Sequence, residues 1–333
     1  VNCAATFNVT FRDFDESELQ DNSKMTNEKN WPKVAVVGAG AVGGYFGGLL
    51  ARSGVPVTTI GRPAFVTAVQ KTGLRLDTMQ FQETVHPSAS TELSATAGAD
   101  YVLFCVKTTD TASVSKELAR YISSSTVVLS LQNGVNNAEE IRKASGIEAI
   151  STVVYVAASA PEPGTVKHLG RGDLVIGPHS PKVDATADFF SRAKLPCRVS
   201  DNIEGELWTK LVWNCALNAV SGLGRVTYGE IIASEDAKRV VEAVVYEVLA
   251  VAKKKGIHPP GLEDPQAAIA GAFLIGKQMS GTRSSTAQDM ARSKRTEIDA
   301  LNGYIARLGA ELGVPVPVNR TLYTLVKLQE ANF

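Results

Sequence analysis

Lys210, Asn214 and Asn218 are the polar interruptions in an otherwise largely apolar run that leads to Val220. Spaced i, i+4 and i+8, they predict a single stripe along one face of a helix. The rest of that helix is hydrophobic nearly all round, as in a buried element, so a lysine and two asparagines on it need partners. The stripe reads as a polar wall facing a cleft. An ammonium on such a wall has a reference pKa of about 10.4 and is protonated at neutral pH; it can stabilise charge developing on a substrate oxygen and donate a proton to it.

A second polar group lies between Gly281 and Gly303 and contains Ser284, Ser285 and Glu297. Ser285 with Gln288 has capping-box spacing, and Ser293 offers a weaker helix start. N–H groups and hydroxyls exposed at a helix start suit a substrate carboxylate. On one continuous helix Ser285 and Glu297 would stand about 18 Å apart, at about 1.5 Å per residue over twelve steps. They could not then touch one small molecule. A shared site requires a break near residues 287–294 and a new helix carrying Glu297.

The elements that must position these groups begin at Lys33-Val-Ala-Val-Val37, a short β-branched run followed directly by Gly38-Ala39-Gly40-Ala41-Val42-Gly43 and a helical segment that stops at Gly54. Strand, glycine turn and helix together form a dinucleotide-binding signature. Gly38 permits the tight turn, Gly40 lets the backbone approach a pyrophosphate, and Gly43 lets helix and strand pack closely. The next strand, Val55 to Ile60, ends at Gly61-Arg62. An enzyme that prefers NAD places an acid there for the ribose 2′-hydroxyl; Arg62 instead offers a planar fork of donors for a 2′-phosphate, which favours NADPH.

Two further apolar strands, Ala99 to Val106 and Thr126 to Leu131, end at Lys107 and at Gln132-Asn133-Gly134. With helical spacers between them they predict a buried parallel sheet. Lys107 and Asn133 then lie at carboxyl ends of strands, where a ligand crevice forms. Residues 150–178 read as a β-meander closing the sheet.

The whole chain of 333 residues carries 34 Lys+Arg and 34 Asp+Glu, a neutrality that argues against nucleic acid or a polybasic membrane surface as partner. Residues 31–200 hold 16 basic and 13 acidic side chains, a modest bias where a polyanionic dinucleotide would bind, whereas residues 201–333 hold 15 of each. No run approaches the roughly 18 apolar residues of a membrane span. Cys3, Cys105, Cys197 and Cys215 lie far apart with no metal-binding spacing, so no metal site is expected and a reducing cytoplasm fits best. Residues 1–30, polar and acidic with an internal Met25, read as a disordered leader. The length predicts two domains, at 31–200 and 201–333. The apolar run Val240 to Ala252 fits core or a homodimer interface, with core the simpler reading.

Taken in order, Gly38-Ala-Gly-Ala-Val-Gly43, Cys-Val-Lys107, Gln-Asn133-Gly, Glu-Leu-Trp-Thr-Lys210-Leu-Val-Trp-Asn214-Cys-Ala-Leu-Asn218, Ser284-Ser285 and Thr-Glu297-Ile-Asp-Ala-Leu-Asn-Gly303 resemble the ketopantoate reductase (2-dehydropantoate 2-reductase) family over residues 33–330. The resemblance implies an α/β Rossmann domain followed by an all-α domain of the 6-phosphogluconate dehydrogenase C-terminal kind, with a 2-oxo acid bound between them. It further implies NADPH-dependent reduction of ketopantoate in pantothenate biosynthesis. By the same resemblance Lys210 is the general acid, Glu297 binds substrate and orients the lysine, Asn214, Asn218 and Ser284-Ser285 contact substrate, and Lys107 and Asn133 contact the cofactor. Family members often carry Ser-Met-Leu-Gln-Asp where this chain has Ser285-Thr-Ala-Gln-Asp, so the smaller Thr286-Ala287 is expected to widen the pocket. Two alternatives stand beside this reading: a paralogue acting on another branched or bulkier 2-oxo acid, and a non-catalytic NADP(H)-binding sensor.

Overall fold

The structure, a computed structural model, describes residues 30–333. The leader expected over residues 1–30 and Cys3 therefore lie, apart from Asn30, outside the described residues. In chain order the first part comprises β1 (Val34–Val37), α1 (Ala41–Arg52), β2 (Val57–Ile60), α2 (Pro63–Thr72), β3 (Leu74–Asp77), β4 (Gln82–Val85), β5 (Ser88–Ser90), β6 (Tyr101–Phe104), α3 (Thr111–Leu118), β7 (Val127–Ser130), α4 (Asn137–Ser145), β8 (Ala149–Ser159), β9 (Thr165–Gly177), α5 (Pro181–Arg192) and β10 (Cys197–Val199).

The strands form one sheet in the order β4-β3-β9-β8-β7-β6-β1-β2-β5, with β10 paired to β9. From β5 through β8 every pairing is parallel. β1 lies between β2 and β6, with Val34 in register with Val57 on one side and Tyr101 on the other. Strand order reverses there, which opens a crevice beyond the carboxyl end of β1. All four β1 side chains are buried, as a near-continuous apolar strand covered on both faces requires.

The glycine turn follows from steric demand. Gly38 has φ +95°, and a Cβ there would lie 2.7 Å from the Cys105 carbonyl carbon. A Cβ at Gly43 would lie 2.5 Å from the Gly38 oxygen and 2.9 Å from Val36 Cγ1, so any side chain would push α1 off β1.

Residues 150–178 fold as an antiparallel hairpin of β8 and β9, with register shifts at Tyr155/Val156 and Ala157/Ala158. The β3–β4 hairpin, absent from the sequence reading, adds to β9 and widens the sheet. Leu74-Arg-Leu-Asp77 has only two apolar residues, too few for the alternation to stand out from a loop.

The second part is helical: α6 (Ile203–Gly224), α7 (Tyr228–Ala233), α8 (Glu235–Lys255), α9 (Pro265–Gln278), α10 (Ser285–Met290), α11 (Asn302–Leu312) and α12 (Pro317–Glu330). The Asn202 side chain caps α6 by accepting the Gly205 N–H, and Arg225 ends it in a left-handed conformation. Trp208, Leu211, Val212 and Cys215 of α6 pack with Val241, Val244, Val248 and Val251 of α8. Each large apolar side chain so buried contributes about 1.5–3 kcal/mol. The run Val240 to Ala252 is thus largely core. Among the described residues no helix is long and apolar enough to cross a membrane.

One face of α6 also meets the sheet: Ile203 and Leu207 pack on Val153 of β8 and Val175 of β9. Lys210 is three residues beyond Leu207, on the same face. Its position against the hairpin follows from that packing.

Candidate active site

Lys210 is half-buried, and its Nζ donates to the Val154 carbonyl at 2.5 Å and to Asn133 Oδ1 at 3.0 Å. Asn133, just past β7, donates from Nδ2 to Glu297 Oε2 at 2.9 Å. Glu297 Oε1 accepts the Thr108 N–H at 3.2 Å. The asparagine amide therefore links the ammonium to the carboxylate across residues far apart in sequence. An ammonium has three N–H donors, so two engaged here leave one for a ligand. Burial pushes the Lys210 pKa down to about 8, against the opposing pull of the Glu297 charge.

Glu297 reaches this point because the chain breaks. α10 ends at Met290, residues 291–297 are turns and irregular backbone, and Ser293 takes a left-handed φ of 48°. Glu297 itself sits on no helix: it precedes a short 3₁₀ turn at Ile298–Ala300, and α11 starts at Asn302. The expected break is present, whereas the expected new helix carrying Glu297 and the helix start at Ser293 are not.

The serines also differ from expectation. Ser284, not Ser285, caps α10: its Oγ accepts the Ala287 N–H at 3.0 Å and donates to the Asn218 carbonyl at 3.0 Å, while its own N–H donates to Ser221 Oγ at 3.1 Å. The buried Ser284 hydroxyl thus fastens α10 to α6 rather than facing a substrate. Ser285 is exposed at the first position of α10. Thr286 and Ala287 are buried, and a Cβ at Gly222 of α6 would lie 2.8 Å from Met290 Sδ and 3.0 Å from Thr286 Cγ2, so α10 packs closely on α6.

Asn214 is half-buried, and its side chain makes no hydrogen bond among the described residues, which leaves its amide open to a ligand. Asn218 is buried and accepts the Tyr228 hydroxyl at 3.0 Å. Lys107, at the end of β6, donates from Nζ to Asp289 Oδ2 at 2.6 Å and to the Arg295 carbonyl at 2.9 Å, joining β6 to the segment that carries Glu297.

The glycine loop fits a dinucleotide. A Cβ at Gly40 would meet no atom within 4 Å, so the backbone there is open to close approach. The first turn of α1 carries no acidic residue, and the first N–H to find an intrahelical acceptor is that of Gly44, bonded to the Gly40 oxygen at 2.8 Å. The N–H groups of Ala41, Val42 and Gly43 lack intrahelical acceptors, which leaves them available to an anion at this helix start, whereas the Ala39 N–H donates to the Ile60 carbonyl at 3.0 Å. Arg62 is exposed at the end of β2, where it opens α2 and forms no ion pair among the described residues.

Comparison with known proteins places this arrangement in a family. Residues 34–181 match the ketopantoate reductase PanE/ApbA family model, and residues 202–330 match its C-terminal model. The chain is 31% identical to a 2-dehydropantoate 2-reductase of Halobacterium salinarum over 306 residues, 90% of this chain and 99% of that one.

The chain belongs to the ketopantoate reductase family. It is an oxidoreductase of that family. Among solved structures, a PanE/ApbA family ketopantoate reductase from Ralstonia eutropha JMP134 superposes with a TM-score of 0.85 at 48% identity, covering 90% of this chain and 99% of that one. A D-mandelate dehydrogenase bound to NADH and anilino(oxo)acetate has a TM-score of 0.83 at 26% identity, with the same coverage.

Within this ketopantoate reductase family chain, three site groups had no signal of their own in the sequence: the Val154 carbonyl, the Thr108 N–H and Asp289. Two are backbone groups aimed by the fold. Asp289 stands 182 residues from its partner Lys107, beyond any local pattern.

Proposed function

We propose that the chain reduces 2-dehydropantoate to pantoate with NADPH. The observation that carries this reading is the Asn133 bridge joining the Lys210 ammonium to the Glu297 carboxylate at the carboxyl end of the sheet. The Gly38–Gly43 loop and the start of α1 would hold the pyrophosphate, and Arg62 the 2′-phosphate. When bound, the reduced nicotinamide supplies a hydride to the C2 carbonyl carbon of the 2-oxo acid. Lys210 directs its remaining N–H at the C2 oxygen, stabilises the charge that develops there and transfers the proton. Asn214 and Ser285 offer donors to the substrate, and Glu297 binds it while holding Asn133 and thereby the lysine in place.

Burial of Lys210 serves this chemistry. An acid with a pKa of about 8 is still protonated at pH 7 yet releases its proton more readily than an exposed lysine. The protonated form is the active one, so kcat/KM should be level below about pH 8 and fall about tenfold per unit above it. A profile measured from pH 6 to 10 that stays flat would remove Lys210 from the proton-transfer step.

Glu297→Ala should raise KM for the 2-oxo acid and lower kcat, each by about 10-fold or more. The loss removes a charged hydrogen-bond partner, typically about 1.5–3 kcal/mol. Steady-state kinetics at saturating NADPH test this; an unchanged KM would sink the binding role.

A second reading has one observation in its favour, the similarity to D-mandelate dehydrogenase bound to NADH and anilino(oxo)acetate. It would make the substrate a bulkier 2-oxo acid and the cofactor NADH. Arg62 at the end of β2 weighs against NADH.

A further inference from the structure

Glu297 stands on irregular backbone between α10 and a 3₁₀ turn, so no helix of its own aims its carboxylate. The neighbouring residue is nevertheless held tightly. Thr296 is 1% exposed, and its N–H and its hydroxyl both donate to one oxygen of Glu330, at 2.7 and 2.6 Å. Glu330 belongs to the last turn of α12, 34 residues on, and its side chain is 5% exposed. Its second oxygen takes the Lys327 ammonium at 2.8 Å. Lys327 reaches on to Asp299 Oδ2 at 3.0 Å, and the Tyr323 hydroxyl donates to Asp299 Oδ1 at 2.8 Å. α12 thus grips the chain on both sides of Glu297, at residue 296 and at residue 299.

We propose that Glu330 is a positioning residue, which sets the place of the Glu297 carboxylate by fixing the peptide before it. Glu330 forms no hydrogen bond to Lys210, Asn133 or Glu297, so it acts through Thr296 directly and through Lys327 on Asp299. The grip matters because Glu297 must meet two donors from other elements at once, Asn133 Nδ2 and the Thr108 N–H. A displacement of about 1 Å at a site of this kind can cost about 10²-fold in rate. The negative charge is not itself required at Thr296; an oxygen acceptor is. Glu330→Gln keeps that acceptor and Glu330→Ala removes it.

This inference rests on the reading of Glu297 as a substrate-binding group, and two measurements keep the two claims apart. The first is KM and kcat for ketopantoate at saturating NADPH in Glu330→Ala, Glu330→Gln, Glu297→Ala and the Glu297→Ala/Glu330→Ala double variant. Glu330→Ala should raise KM about 10-fold or more with a smaller fall in kcat, Glu330→Gln should stay within about 3-fold of the parent, and the effect of Glu330→Ala should shrink below about 2-fold once Glu297 is absent, as coupled residues require. An equal effect in both backgrounds, or no effect, would overturn the inference by making Glu330 a general support of the fold or a bystander. The second is amide hydrogen exchange without substrate or cofactor: residues 291–299 should exchange about 10-fold faster in Glu330→Ala while α8 is unchanged. Unaltered exchange overturns the inference whatever the kinetics show. If Glu297→Ala itself leaves KM alone, the binding role of Glu297 falls, and the exchange result still decides whether Glu330 holds the segment.

Discussion

Lys210→Ala should lower kcat by about 10² to 10⁴ while NADPH still binds, the range commonly lost with a general acid. The expectation comes from position and surroundings together. The Nζ has two acceptors from the protein, Val154 O and Asn133 Oδ1, and one N–H left over. No other ammonium among the described residues shares this pair of acceptors, so the alanine variant has no substitute donor at the C2 oxygen. Folding should survive, because a buried charge is itself costly and its removal relieves desolvation even as two acceptors lose a partner. Stopped-flow measurement of a single turnover, with NADPH affinity measured in parallel, separates chemistry from binding. Near-normal turnover would eliminate Lys210 as the acid.

Arg62→Asp should weaken NADPH binding about 10²-fold and leave NADH binding equal or improved. Loss of a charged hydrogen-bond donor costs about 1.5–3 kcal/mol, and the new carboxylate adds repulsion toward a 2′-phosphate; each 1.4 kcal/mol is about tenfold in affinity. The substitution suits the fold, because residue 62 is the N-cap of α2 in extended backbone and aspartate is a favoured N-cap. A change in affinity can therefore be read as cofactor recognition. Direct titration with both cofactors tests it, and an unchanged NADPH affinity would refute the role of Arg62.

The parts of the site that were legible in the sequence are those built from local pattern. The glycine loop announces itself because Gly38 and Gly43 are dictated by contacts only a few residues or one strand away. The Lys210 stripe shows because a 3.6-residue period places three polar groups on one face of an apolar helix. The break before Glu297 follows from helix length once Ser285 and Glu297 are taken to share one site. What stayed hidden depends on tertiary pairing. Asn133 reads locally as a turn residue, and its bridging role appears only when α6 and the 291–297 segment converge on the end of β7. Ser284 and Ser285 are equally good caps by type; packing against Ser221 and Asn218 of α6 decides between them. Lys107 likewise pairs with Asp289, which no spacing rule could match with it.

The measurement that bears most directly on the proposed activity is NADPH oxidation by the purified protein against ketopantoate and a panel of branched, bulky and aryl 2-oxo acids, with NADH run alongside. The predicted result is turnover with ketopantoate and NADPH at a kcat/KM at least about tenfold above the other acids and above NADH, a discrimination within reach of pocket contacts. A preference for an aryl 2-oxo acid with NADH would contradict the substrate and cofactor assignment, and tight NADPH binding with no turnover of any acid would contradict catalysis itself.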